Sequence, residues 1–166
     1  MDDIILTGDH VEETCKLKCF LTHEFEIKDL GNLKYFLGME IARSKMGIAI
    51  SQHKYVLDLL KQTMMLGCKP IDTPMDYTTK LGTIKGSALV DKGRYQRYVG
   101  QLIYLSHTRP DILFLVRIVS QFMNNPNEEH MKVAYRILRC LKMTPRKGLY
   151  FKRTQKRNME IFSDVD

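Results

Sequence analysis

Met1-Asp2-Asp3-Ile4-Ile5-Leu6 opens the chain, and the fold depends on how this stretch is read. Two adjacent carboxylates leading into an apolar, strand-like run are costly unless positive charge sits on them, and a divalent cation with its preference for hard oxygen ligands is the usual reason for such a pair. Consecutive strand residues face opposite sides. One aspartate would therefore ligate and its neighbour would support. A lone aspartate cannot hold two metals, and whatever would complete the site stands outside this stretch. On the residues alone, an exposed terminal acidic pair is the plainer reading.

The remaining composition bounds the class. The chain has 166 residues, 44% hydrophobic and 27% charged, enough for one domain or two small ones. At this size about 70% of the unfolded surface can be buried, so a core forms without staples. Cys15, Cys19, Cys68 and Cys140 form no CxxC pair, which points to a reduced setting. No apolar run has the length of a membrane span and no secretory signal opens the chain, so the expected location is cytoplasmic or nuclear, with no membrane partner. The net charge is +7, and basic residues concentrate late, from Lys132 to Arg157. That distribution favours a polyanion, with a solvated helix face as the equal alternative.

Outward from the opening, residues 2–7 read as a short buried strand and 11–24 as a helix with Leu17, Phe20 and Leu21 on one face. Residues 25–30 alternate as a strand does. Residues 33–42 and 47–50 make a hairpin. Ser51 is a candidate cap for a helix running to residue 66, on the spacing of Val56, Leu59, Leu60 and Met64. Residues 67–91 read as an extended connection. Helices follow over about 92–107, 110–123 (Pro110 in its first turn) and 128–143, then strands at 148–153 and 158–163. Strands first and helices after argue an α+β fold.

Several groups carry candidate chemistry. Gly38, in Phe36-Leu37-Gly38-Met39, allows a close backbone approach, or is an ordinary bulge in a core strand. Gln96, Gly100 and Tyr104 recur at helical spacing on one stripe, suited to hydrogen bonding, close approach and packing along a minor groove, or belonging to a core face with Leu102, Ile103 and Leu105 taking the rest. Arg94, Arg97 and the Arg109 region supply charge for phosphates. A helical glycine costs about 1 kcal/mol relative to alanine, so Gly100 needs a packing or contact reason. On 128–143, Val133, Ile137, Leu138 and Leu141 form the core face, opposite Lys132, Arg136, Arg139 and Lys142. Cys15, Cys19 and His23 share a helix face, but zinc ligands seldom all come from one helix, so buried thiols beside an ordinary histidine are expected.

One ordered series runs through nearly the whole chain: Asp2-Asp3-Ile4-Ile5-Leu6-Thr7-Gly8, Tyr35-Phe36-Leu37-Gly38-Met39-Glu40-Ile41, Ile50-Ser51-Gln52-His53-Lys54-Tyr55, Arg94-Tyr95-Gln96-Arg97-Tyr98-Val99-Gly100, Tyr104-Leu105-Ser106-His107-Thr108-Arg109-Pro110-Asp111-Ile112 and Ser163-Asp164-Val165-Asp166. It resembles the C-terminal part of the reverse transcriptase of copia-type LTR retrotransposons. The resemblance implies a palm remnant with a primer-grip hairpin at 1–50, a thumb-like helical region with its linker at 51–123, and a connecting helix with the start of ribonuclease H at 124–166. It makes Asp2, supported by Asp3, an ancestral Mg²⁺ ligand and catalytic residue. Asp164 becomes a relic ribonuclease H ligand, with Val165 where the family carries Ala. Phe36, Leu37, Gly38 and Met39, with Gln96, Gly100, Tyr104, Arg94, Arg97, Arg136 and Arg139, become contacts to a DNA/RNA template–primer.

In the intact enzyme the small-molecule substrate would be a dNTP. The expectation for this chain is a polymerase fragment inactive on its own, able to self-associate through an exposed palm edge. The alternative is a non-catalytic module that binds template–primer hybrids.

Overall fold

The computed structural model of the protein describes residues 4–6, 8, 10–74 and 90–153, in two compact units, Met1–Leu33 and Lys34–Asp166. In the first unit, helix α1 (Val11–Glu24) fills the span that periodicity predicts. Glu12 and Glu13 in its first turn complement the helix dipole. The helix buries no residue. Cys15 and Cys19 are exposed, which corrects the expectation of buried thiols. No three His, Cys, Asp or Glu side chains gather as a metal site among the described residues.

Two strand expectations also fail in this unit. Ile4-Ile5-Leu6 form no strand, and Ile4 and Ile5 are exposed. Residues 25–30 alternate in sequence yet form no ladder. Alternation sustains a strand only when a neighbour pairs with it. Here Asp29 closes a turn instead, accepting from the Gly31 N–H (2.8 Å) and from Lys18 Nζ (3.0 Å). The Gly31 N–H first, and Lys18 next, hold its carboxyl below the usual value.

The second unit carries a sheet of β1 (Tyr35–Phe36), β2 (Met39–Ser44), β3 (Gly47–Ser51) and β4 (Leu149–Lys152), in that order and antiparallel throughout. The hairpin expected of 33–42 with 47–50 is found in part: a turn at Leu37-Gly38 splits its first strand into β1 and β2, and β2 pairs with β3, closed by the pair Ser44 and Gly47. β4 lies where a strand is expected and pairs with β3, setting Leu149 opposite Ile50 and Phe151 opposite Ile48. This pairing joins the end of the described chain to the hairpin that the resemblance assigns to the palm. The approach is close: a Cβ on Gly148 would run into the Ile50 carbonyl oxygen, and one on Gly47 into that of Phe151. The strand expected at 158–163 lies outside the described residues.

Four helices complete the unit: α2 (His53–Gln62), α3 (Lys92–Ser106), α4 (Pro110–Ser120) and α5 (Glu128–Met143). α2 stops short of residue 66. Met64 turns left-handed (φ +57°), its N–H bonds the Lys61 carbonyl, and the Met65 N–H reaches Leu60 O at 2.7 Å. That double bond is a Schellman stop, with methionine where glycine is usual. Gln52, not Ser51, is the N-cap of α2 and makes no side-chain cap bond. Glu40 on β2 supplies the acceptor instead, taking the Lys54 N–H at 3.1 Å. Asp91 caps α3, Pro110 opens α4, and Asn127 with His130 forms a reciprocal capping box on α5.

The core lies among these helices. Leu60, Tyr95, Val99, Leu102, Leu105, Ile112, Ile137, Leu138 and Leu141 are at most 1% exposed. Each fully buried Val, Leu or Ile contributes roughly 1.5–3 kcal/mol. The Tyr95 hydroxyl donates to Val119 O at 2.7 Å, and Thr108 Oγ1 to Gln52 Oε1 at 2.7 Å, while Gln52 Nε2 is buried with no partner among the described residues. The apolar face expected on α5 is buried.

The opposite face of α5 clasps the connection that leaves α2. Lys142 Nζ donates to the Leu66 and Cys68 carbonyls, each at 2.5 Å. Arg139 Nε donates to Lys69 O (2.8 Å), and Arg136 to Thr73 O and Oγ1 (both 3.2 Å). Arg109, read from the sequence as near the phosphates, is 1% exposed. Its guanidinium is taken up by Asp111 and Thr144. Among the described residues no helix is long and apolar enough to cross a membrane.

Candidate nucleic-acid interface

Leu37 and Gly38 form the loop between β1 and β2, because Phe36 pairs with Met39. Both loop residues have positive φ, +46° and +74°. A two-residue hairpin loop with this signature is a type I′ turn, which follows the twist of the strands and prefers Asn-Gly. Gly38 fits it. Leu37 is strained there, and its side chain is 64% exposed. The position a Gly38 side chain would take faces Tyr104 and Tyr55, at 3.7–3.9 Å. Glycine is needed here for its φ rather than for an open approach on that side.

α3 supplies the neighbouring surface. The Tyr104 hydroxyl donates to the Leu37 carbonyl. The Tyr104 ring meets Tyr55 edge-on, centroids 5.1 Å apart. Burial, then the neighbouring Tyr104, pushes the Tyr55 phenol up. At the other end of the stripe, Gln96 Nε2 donates to Met123 O at 3.0 Å. Between them Gly100 is exposed, and no described heavy atom lies within 4 Å of where its Cβ would stand. Arg97, Ile103 and His107 are exposed along the same helix. Arg94 bonds the Tyr98 hydroxyl (3.0 Å) and lies over its ring.

A shallow groove of about 560 Å³, lined by Tyr55, Asp58, Leu59, Lys61, Gln62 and Gln101, runs beside this stripe. Gln101 Nε2 donates to Gln62 Oε1 at 2.7 Å, while Gln101 Oε1 is buried with no partner among the described residues. Sequence reasoning missed Tyr55, Gln62 and Gln101. The available signal was positional: Gln101 follows Gly100 and therefore sits a quarter-turn round α3.

Comparisons with known proteins give the family. A family model described as reverse transcriptase (RNA-dependent DNA polymerase) matches residues 1–77. Over all 166 residues the chain is 41% identical to the retrovirus-related Pol polyprotein from transposon RE1 of Arabidopsis thaliana and 38% identical to that from transposon RE2 of the same plant. It is 37% identical, again over its whole length, to an uncharacterized mitochondrial protein of Arabidopsis thaliana, of which it covers 69%. The chain belongs to the reverse transcriptase family of copia-type retrotransposons. It spans 11% of the length of the RE1 and RE2 polyproteins. No solved structure matches it.

The expected contacts fall into three groups. Leu37 and Gly38 meet Tyr104, with Phe36 and Met39 flanking the turn, while Arg97 and Gly100 are exposed further along the same helix. Gln96 and Arg94 share the helix but are engaged with Met123 and Tyr98. Arg136 and Arg139 sit on α5 and donate to the carbonyls of the connection from α2. Asp2, Asp3 and Asp164, the residues the resemblance assigns to Mg²⁺, lie outside the described residues.

Proposed function

We propose that this chain is the template–primer-binding part of an RNA-directed DNA polymerase. The turn Phe36-Leu37-Gly38-Met39 meets the primer end, and the exposed face of α3, with Arg97, Gly100 and Tyr104, follows the minor groove of the hybrid. Arg94, Arg136 and Arg139 add positive potential toward its phosphates, and Gln96 orders the far end of the track. Asp2 and Asp3 belong to the Mg²⁺ site of the assembled enzyme, which takes dNTPs, and Asp164 to its ribonuclease H.

One observation carries this reading. Gly100 sits mid-helix and exposed, and among the described residues no other side chain comes within 4 Å of its Cβ position, so its cost of about 1 kcal/mol has no packing return there. A close-approaching ligand backbone accounts for it, and Arg97, exposed one turn away, suits a phosphate backbone. Titration of an RNA–DNA hybrid at several salt concentrations tests the proposal. The expected result is affinity that falls steeply with salt, and that Arg97→Ala lowers the log–log slope by about 0.9. Absence of salt-sensitive binding near physiological ionic strength would overturn it.

A further inference from the structure

We propose that the Tyr104 hydroxyl is a positioning group: it holds the strained Leu37-Gly38 turn against α3, so that the Leu37 side chain is aimed at a recessed primer end. The last clause rests on the function proposed above. The positioning itself rests on geometry alone.

Leu37 occupies a left-handed conformation (φ +46°) that a branched apolar side chain rarely adopts. Asparagine would relax the turn, yet leucine stands there and exposes 64% of its surface. A strained residue persists only where its surroundings over-determine it. Those surroundings are visible. Tyr104, 67 residues further along, donates to the Leu37 carbonyl. The Tyr104 ring is itself seated against Tyr55 at 5.1 Å. Gly38 closes on both rings at ordinary contact distance.

The hairpin and α3 are thus registered to each other through one hydroxyl. That hydroxyl donates inward, so Tyr104 acts on a ligand through Leu37. An exposed aliphatic side chain gains by packing on a sugar or base edge, not on a phosphate. The end of a primer strand offers such a surface.

Tyr104→Phe removes the hydroxyl and keeps the ring, so the core contact with Tyr55 survives. Two duplexes of equal length are compared in the whole chain, one continuous and one with a recessed 3′ end, alongside hydrogen exchange at the Met39 amide. The expected result is a loss of affinity about 5-fold larger for the recessed duplex than for the continuous one, the worth of one ordinary hydrogen bond, with faster Met39 exchange. In a Leu37→Asn background, where the turn is relaxed, Tyr104→Phe has a much smaller effect on exchange. Equal losses on the two duplexes, or unchanged Met39 exchange, would overturn the proposal. Should the unmodified chain bind neither duplex, the nucleic-acid reading fails, and Met39 exchange alone decides the positioning role.

Discussion

Arg109 and Asp111 grip each other across a single proline: Nε and Nη2 of the guanidinium donate to the two carboxylate oxygens, both at 2.9 Å. The same guanidinium reaches Thr144, through Nη1 to its carbonyl (2.8 Å) and Nη2 to its hydroxyl (3.0 Å), and Lys147 Nζ closes on Asp111 at 3.1 Å. The first turn of α4 is thereby tied to the end of α5. Arg109 is buried while Asp111 is partly open to solvent, and a bidentate pair holding a buried charge matters most when it is broken.

Asp111→Ala leaves a buried arginine without its counter-ion, and the expected loss is about 3 kcal/mol in urea unfolding with the m-value unchanged. Acid should act on the same group. Arg109 chiefly, with Lys147 helping against the opposing effect of burial, holds the Asp111 carboxyl at about 2, below its ordinary 3.8. The native state therefore binds this proton less readily than the unfolded chain. Its contribution is full above the ordinary value and disappears as pH falls from about 4 to about 2. Asp111→Asn should flatten the stability profile in that window, and an unchanged profile would contradict the lock.

His130 predicts a second pH effect, at milder acidity. The Asn127 N–H donates to its Nδ1 at 3.2 Å, and the ring lies on Phe122 with centroids 3.8 Å apart. Burial lowers its pKa from the ordinary 6.5, with Glu129 opposing. Protonation would also remove the Nδ1 acceptor that closes the capping box. Stability contributed by the neutral ring is complete above pH 6.5 and declines as pH drops through that value toward the lowered one. Denaturation midpoints between pH 7 and 5 should fall, and His130→Gln should lose that dependence.

Met64→Gly should stabilise the chain. Met64 is 92% exposed and holds φ +57° at the stop of α2, so its side chain is strained without burying anything. Relief of the left-handed penalty, offset by the flexibility of glycine, is expected to raise stability by about 0.5 kcal/mol. A lower thermal midpoint in the variant would show that Met64 packs on something.

Gly100→Ala separates stability from binding. With open space at the Cβ position, the substitution should raise helix stability by about 1 kcal/mol. The same methyl group stands where the hybrid would approach, so affinity for an RNA–DNA hybrid should fall about 10-fold, close to the cost of forcing one methyl into a packed contact. A stabilised variant that binds as tightly as its parent would remove α3 from the interface.

The helices were legible to within about a turn at their ends. Glu12 and Glu13 marked the start of α1, Pro110 that of α4, and the apolar spacing of Val133, Ile137, Leu138 and Leu141 set the inner face of α5. The alternation at 25–30 misled because it has no strand to pair with. The basic residues of α5 were legible as a polar face, yet their donors Arg136, Arg139 and Lys142 go to backbone carbonyls of the connection from α2. In the candidate site, the turn at Gly38 and the stripe through Gly100 were visible, whereas Tyr55, Gln62 and Gln101 were not, since each joins the site through a helix other than the one being read or through its flank.

By itself the sequence determined the family, through an ordered series of motifs, and the helical segments, through caps and spacing. Those signals act between residues a turn or so apart, and the chain carries them wherever it goes. Tertiary structure alone decided that β4 pairs with β3, that Arg109 is interior rather than phosphate-facing, and that Tyr104 holds Leu37. Strand partners, the burial of a charge and the direction of a hydroxyl depend on which distant segments share space. No local pattern of residues encodes that, because its energy exists only once the segments have met.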